Sequence, residues 1–359
     1  MAKQGNQAHN MWVIKEAQMD HRHLLRLSVL ALTLGFAFST LASASGQGAS
    51  GSRDNWTTPR TTWGDPDFQG IWTTDGERSV PFERPTDLGD RAELTEEEFA
   101  NRAESETRSS VDNKAERNRR AGDPEAGPEH WYEFGNYTST RTSLIIDPPN
   151  GRVPPITIGA KTRVIDPSSR LGFVGGSMGD GPFNGPEDLH LADRCITRGM
   201  PQTWYPSAYN NGFQIVQSPG YVAVLYERLH EHRIIPLDGR DQLVSSIGQW
   251  FGDSRGHWEG DTLVVEVTNF SDRTNFRGAG STRRLIERYT RVDADTVQVE
   301  ITIDDPTTWT RSWTTAVTGK RDPNYWQVFE YACHEGNYGM RNILSAARNL
   351  EKAAAKDGK

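Results

Sequence analysis

Between residues 296 and 304 apolar and polar side chains alternate without a break: Val297, Val299, Ile301 and Ile303 against Gln298, Glu300 and Thr302. Successive side chains of a strand point to opposite faces, so a period of two commits this segment to a sheet with one apolar and one wetted face. Leu263, Val265 and Val267 repeat the pattern after Trp258-Glu-Gly-Asp261. Further extended segments are expected at Phe68 to Thr74, Leu144 to Asp147, Phe213 to Gln217, Tyr221 to Glu227, Arg233 to Leu237, Leu285 to Val292, Trp309 to Val317 and Trp326 to Tyr331. Turn residues such as Ser218-Pro-Gly220 and Asp293-Ala-Asp295 separate them, which is the spacing of an antiparallel meander. No strand–helix–strand rhythm occurs, so a parallel α/β sheet is disfavoured.

Two helical segments accompany the strands. Leu94-Thr-Glu-Glu-Glu98 has capping-box spacing and opens a highly charged stretch, about 95–120, that halts at Gly122-Asp-Pro124. With Phe99 and Val111 almost its only large apolar residues, this insertion is a surface excursion. Near the end of the sequence Met340, Ile343, Leu344, Ala347 and Leu350 share one helical face, which is expected to dock against the sheet.

An apolar run from Leu27 to Phe38 follows Arg22 and Arg26 and precedes Ala42-Ser43-Ala44. Basic flank, short hydrophobic stretch and A-x-A site are the parts of a signal peptide, here 1–44 with translation starting at Met1 or Met19, and the run is too short to span a bilayer. The expected product is a periplasmic or secreted protein with a Gly/Ser/Thr-rich leader at 45–62 and one β-rich domain at 63–359. An uncleaved signal acting as a tether is the alternative. The formal net charge of −8, with no basic cluster, argues against a nucleic-acid partner.

Cys195 and Cys333 are the only cysteines. In an exported chain an isolated pair favours one disulfide closing a long loop, worth about 3–5 kcal/mol in the chain-entropy model; a catalytic thiol is the alternative.

Gly70-Ile-Trp72 in the first strand, the meander and the terminal helix together resemble the lipocalin-like, or calycin, barrels, and the resemblance implies that this Trp closes a barrel floor. Nearly the whole exported part is also similar to a widespread group of secreted bacterial proteins of uncharacterised activity. That resemblance is carried by Trp63-Gly-Asp-Pro-Asp-Phe-Gln-Gly-Ile-Trp72, Ser143 to Arg152, Arg233-Ile-Ile-Pro-Leu-Asp-Gly-Arg240, Gly252 to Val265 and Tyr331-Ala-Cys-His-Glu-Gly-Asn-Tyr338. It implies export but no activity.

A Cys195–Cys333 bridge would bring Asp193-Arg194 within side-chain reach of His334, Glu335, Asn337 and Tyr338, because bridged Cα atoms lie about 4.4–6.8 Å apart. His334 would move a proton, Glu335 set its tautomer and Arg194 hold an anion or enolate. The same groups could equally form a structural clasp.

Glu227, His230, Glu231, His232 and Arg233 cluster at a connection between strands, with His230 a second proton carrier and Arg233 a substrate contact. His230, His232 and His334 would suffice for a three-His metal site, although spacing favours an exposed turn and no metal. Gly252-Asp-Ser254-Arg-Gly256 matches G-x-S-x-G but precedes a strand, where a nucleophile elbow needs a helix, so it reads as a hairpin turn.

The Gly-rich stretch Gly172 to Gly185 lacks a P-loop lysine and reads as a loop or lid, so no organic cofactor is expected. Of the eleven tryptophans, most read as core, while Trp204-Tyr205 in a Pro-rich loop is expected to line a pocket.

These readings converge on an exported enzyme doing acid–base chemistry (lyase, isomerase or hydrolase) on a small, partly apolar molecule. A carrier or sensor of a lipophilic ligand and a carbohydrate-active or carbohydrate-binding protein are the alternatives.

Overall fold

The alternation at 297–303 is a strand whose four apolar residues are all fully buried. In a computed structural model of the chain, residues 56–105, 139–161, 183–207, 209–323 and 325–357 are described. The strands are β1 Gly70–Thr73, β2 Ile145–Asp147, β3 Gly212–Ser218, β4 Tyr221–Tyr226, β5 His232–Pro236, β6 Asp253–Glu259, β7 Thr262–Thr268, β8 Arg284–Asp293, β9 Thr296–Asp304 and β10 Trp313–Lys320. They form one ten-stranded antiparallel sheet in the order β5-β4-β3-β1-β10-β9-β8-β7-β6, with β2 also pairing β10. Two local meanders, β3–β5 and β6–β10, are thus joined by the first strand, so the fold is mainly β.

Hydrogen bonds do not close this sheet. β5 and β6 lie at opposite ends of the path, and their edges meet through side chains. Gly256 of β6 makes that possible, because a Cβ there would sit 2.8 Å from Ile235 Cγ2 and 2.7 Å from Leu237 Cδ2.

Registers place Glu287 of β8 opposite Ile301 of β9, and Ile301 opposite Thr315 of β10, on the enclosed face. From β5, Arg233 reaches across the interior and donates through both Nη atoms to Glu287, at 3.2 and 2.6 Å. It also donates to Tyr289 Oη at 2.6 Å, and Tyr289 in turn donates to Glu287 at 2.7 Å. Burial alone pulls the Arg233 guanidinium down, but Glu287 and the neighbouring tyrosines outweigh it and hold the group well above its ordinary value.

Aromatic side chains fill the rest of the interior. Trp204, 1% exposed, stands edge-on to Phe213 and Tyr226 at 5.0 Å each and to Tyr289 at 5.6 Å. The void beside it is about 10 Å3, too small for any organic ligand. Towards one end Tyr205, Phe82, Phe276, Trp309 and Trp313 interlock, with Tyr205 Oη 3.0 Å from Thr315 Oγ1. Towards the other, Trp72 is fully buried, donates to Phe68 O at 3.2 Å and has the Arg321 guanidinium 4.6 Å from its ring centre.

Several local expectations change. Trp204-Tyr205 is a core plug, because the Pro-rich loop turns inward through a short 3-10 turn at Gln202–Trp204. Gly252 to Gly256 is not a hairpin turn: Ser254 lies within β6, and the reversal comes at Gly260-Asp261. Trp326 to Tyr331 forms no strand.

Thr95 and Glu98 make the expected capping box at the start of helix α1 over 96–105, while the rest of the charged stretch lies outside the described residues. Helix α2, Gly339–Asp357, finds its partners away from the sheet: Arg348 donates to the carbonyls of Phe183 and Asn184 at 2.9 and 3.1 Å. The signal and leader positions before 56 and most of the Gly-rich stretch, 172–182, also lie outside the described residues. No helix among the described residues is long and apolar enough to cross a membrane.

Removing one member of the interior ion pair leaves the other charged and buried. Glu287→Gln or Arg233→Met is therefore expected to cost about 3–5 kcal/mol in urea unfolding, whereas the combined apolar change R233M/E287L/Y289F recovers most of that loss.

Candidate functional site

Beside the filled interior, an open cleft lies outside the sheet among the described residues. Cys195 and Cys333 are disulfide-bonded across 138 residues with Cα atoms 5.7 Å apart. The bridge ties the 325–343 segment to the loop before β3, and between them opens a cleft of about 890 Å3. Tyr209, Tyr325, Phe329 and Tyr331 supply aromatic walls, Met340 and Ile343 of α2 an apolar one, and Asp193, Glu227, Glu330 and Glu335 the carboxyl groups.

Glu227 forms the floor. It follows β4 at the start of a tight connection whose residues Leu229 and His230 both take left-handed backbone angles (φ 56° and 43°). Such angles cost roughly 1–3 kcal/mol each for non-glycine residues and persist only where packing enforces them, as the buried Leu229 side chain does here. Glu227 is 1% exposed, accepts from Gly212 N at 3.3 Å and receives the Tyr325 hydroxyl. Burial raises its pKa, opposed by donors that include the Asn210 side chain and the Gly212 and Phe329 amides. The hydroxyl reaches it because residue 212 is glycine; a Cβ there would lie 2.3 Å from Tyr325 Oη. Burial also raises the Asp193 pKa.

Behind the wall, Glu231 accepts from the Thr197 hydroxyl, from Thr203 Oγ1 at 3.2 Å and from Arg198 N at 3.4 Å. Burial overrides these donors and pushes its pKa up to about 8. His190 accepts from Ala192 N at 3.0 Å through Nδ1, and burial followed by the charge of Arg198 takes its pKa down to about 4.

The disulfide assembles only part of the expected corner. Cys333, Glu335, Asn337 and Asp193 line the cleft, and Asn337 Nδ2 donates to Asp193 O at 3.2 Å and contacts Cys195 Sγ at 3.3 Å. His334 is exposed between two lining residues and makes no side-chain hydrogen bond among the described residues. Arg194 turns towards Glu187, 3.9 Å away. His230 is exposed, with Nδ1 3.3 Å from Tyr331 O, and Tyr338 projects to solvent, 67% exposed.

Arg233, Trp204 and Tyr205 are inside the sheet and do not reach the cleft. His230, His232 and His334 do not converge, and no metal-holding cluster of His, Cys, Asp or Glu occurs among the described residues. Tyr325, Phe329 and Tyr209 line the cleft without having been singled out in the sequence, whereas Asp193 lies at the corner expected from the bridge. The disulfide was the signal that could have found them, since Tyr325 and Phe329 shortly precede Cys333 and Tyr209 follows Cys195.

No family model and no curated protein matches the chain. Among solved structures it is similar to a secretary abundant heat soluble (SAHS) protein from Ramazzottius varieornatus, at 11% identity over 31% of this chain and 70% of that one, with a TM-score of 0.21. A likeness of that size carries no inference about activity.

Replacing both cysteines by serine is expected to lower stability by about 3–5 kcal/mol and to expose 325–357 to limited proteolysis. Glu231 adds a pH signature. Between its unfolded value near 4.5 and about 8 the unfolded chain ionises while the folded group stays protonated, so this residue subtracts stability as pH rises across that window. His190 acts oppositely, losing stability as pH falls from 6.5 towards 4. The thermal midpoint of Glu231→Gln relative to wild type should therefore climb from pH 5 to pH 8, by a free energy of at most about 1.4 kcal/mol per pH unit.

Proposed function

We propose that the chain is an exported enzyme that performs acid–base chemistry on a small, partly apolar molecule held in the disulfide-anchored cleft. The observation that carries this reading is Glu227, a buried carboxyl with a raised pKa on the floor of a cleft walled by aromatic and apolar side chains. Burial raises its pKa above that of an exposed carboxyl, and a carboxyl on the floor of a cleft is placed to exchange a proton with a bound molecule. Tyr325 orients it through the hydroxyl contact.

His334, whose chain neighbours on both sides line the cleft, is the second proton carrier, and Glu335 on the rim assists it. Asn337, fixed against the Asp193 carbonyl, offers the substrate a polar contact. In the carrier alternative, the ligand would occupy this outer cleft, since the interior beside Trp204 is filled. Export through the N-terminal signal, membership of the uncharacterised secreted group and a lipocalin-like barrel belong to the same proposal. The disulfide supports the export reading, and the fully buried Trp72 with Arg321 over its ring supports the barrel reading.

The test is a turnover screen of the purified protein against aryl esters, aryl glycosides and aryl ketones, the last followed by solvent deuterium exchange. Glu227→Gln is expected to reduce kcat about 10²–10⁴-fold and His334→Ala to reduce it as well, with circular dichroism unchanged. If both variants keep wild-type turnover and ligand affinity while folded, the acid–base assignment is wrong. A substrate-free ligand that co-purifies unaltered would favour carriage.

A further inference from the structure

The lining of the cleft has a one-sided chemistry. Four acidic residues, Asp193, Glu227, Glu330 and Glu335, line it, and among the described residues no lysine, arginine or histidine does, His334 lying exposed beside the lining between Cys333 and Glu335. Four aromatic rings, those of Tyr209, Tyr325, Phe329 and Tyr331, make up much of the remaining wall. We propose that the ligand of this cleft is an organic ammonium cation attached to an apolar, preferably aromatic, body. The inference rests on the reading of the cleft as the functional site and names the class of molecule it takes.

The physical reasons are independent of each other. A cation over an aromatic face is attracted by the ring quadrupole, worth about 0.5–2 kcal/mol depending on desolvation. Carboxylates at the floor and rim supply the counter-charge without which burying an ammonium group is prohibitive. An anionic ligand would meet four acids and no compensating cation among the described lining residues, and a neutral lipophile would leave those acids desolvated with nothing gained in return.

Two arginines stand behind the wall, and neither reverses this balance. Arg228 is committed to the Ser207 hydroxyl and the Tyr209 carbonyl, with its guanidinium 5.6 Å from the Tyr209 ring centre. Arg198 is buried beside Glu231 and behind Tyr331 and Tyr209, outside the lining. The carboxyl groups facing the cleft outnumber both. A volume near 890 Å3 is ample for a monocyclic amine and falls in the range of small-molecule sites.

A matched series tests this by calorimetry on the full oxidised protein at pH 7.5 and low salt: tyramine, the uncharged 4-ethylphenol and the anionic 4-hydroxyphenylacetate. Tyramine is expected to bind about tenfold or more tightly than 4-ethylphenol, a difference the cation–aromatic and carboxylate terms together supply, and the anion not to bind. Glu227→Gln should weaken tyramine severalfold. The exposed double variant E330Q/E335Q, which cannot disturb the core, should also weaken it, by about two- to threefold, as should raised salt.

Equal binding of tyramine and 4-ethylphenol, binding of glucose or cellobiose in place of tyramine, no binding by any of the three, or tyramine affinity indifferent to both sets of carboxyl changes each overturns the proposal. The outcome is separable from that of the catalytic reading. Selective tyramine binding with no turnover defect in Glu227→Gln leaves the cation site standing without acid–base catalysis, and a turnover defect without cation selectivity does the reverse.

Discussion

Arg233 and Glu287 meet in the one place where the sheet lacks a ladder to hold it. A path of nine paired strands ends in β5 on one side and β6 on the other, and those edges abut through Ile235, Leu237 and the bare backbone of Gly256. The guanidinium on β5 grips a carboxylate on β8, two strands inward from the far edge, and the interior replaces the missing backbone bonds with a side-chain crosslink. Desolvating both charges costs several kcal/mol per ion, offset here by bidentate geometry and by the Tyr289 hydroxyl, which bonds to both members. Such a pair adds little net stability over a well-packed apolar core. It penalises every arrangement in which the edges drift apart, since each would strand a buried charge.

Trp204 depends on that crosslink. Its ring is held edge-on by Tyr226 and Tyr289, both of which flank the ion pair, and it seals the space in which a ligand-carrying barrel would keep its cargo. The open cleft lies instead outside the sheet, where the loop bearing Trp204 and the segment after β10 meet. The disulfide converts that meeting into a wall, and Glu231 ties down the same loop through Thr197 and Thr203. Interior plug and exterior cleft are two faces of one loop, which is why a core residue and a candidate site stand so near each other in sequence.

The sheet was largely legible because its signal is local: alternation at Val297 to Ile303 or Leu263 to Val267 needs no knowledge of partners. The disulfide was legible from arithmetic alone. What could not be read was anything that depends on which side of the sheet is enclosed. Arg233 and Glu287 sit at inward positions of their strands yet look like solvent-facing charges, since a buried charge is identified only by its partner 54 residues away. Trp204-Tyr205 suffered the converse error, a Pro-rich loop read as pocket lining when it turns into the core. Around Tyr325 to Tyr331 the β-like composition reflects cleft lining, and the Tyr325 contact to Glu227 holds that segment irregular. His334 lies exposed beside the bridge, and which way such a side chain turns is set by a rotamer and not by a pattern.

The position of the bridge along the chain has a consequence for biosynthesis. Every strand has left the ribosome once Lys320 has, whereas one entire side of the cleft, from Tyr325 through Ile343, is still to come. A chain ending at Lys320 would thus contain all the described strands, the interior crosslink and the tryptophan plug and yet lack one side of the cleft. The cleft is the last part of the structure to be supplied, and the Cys195–Cys333 bond is what anchors it to the rest.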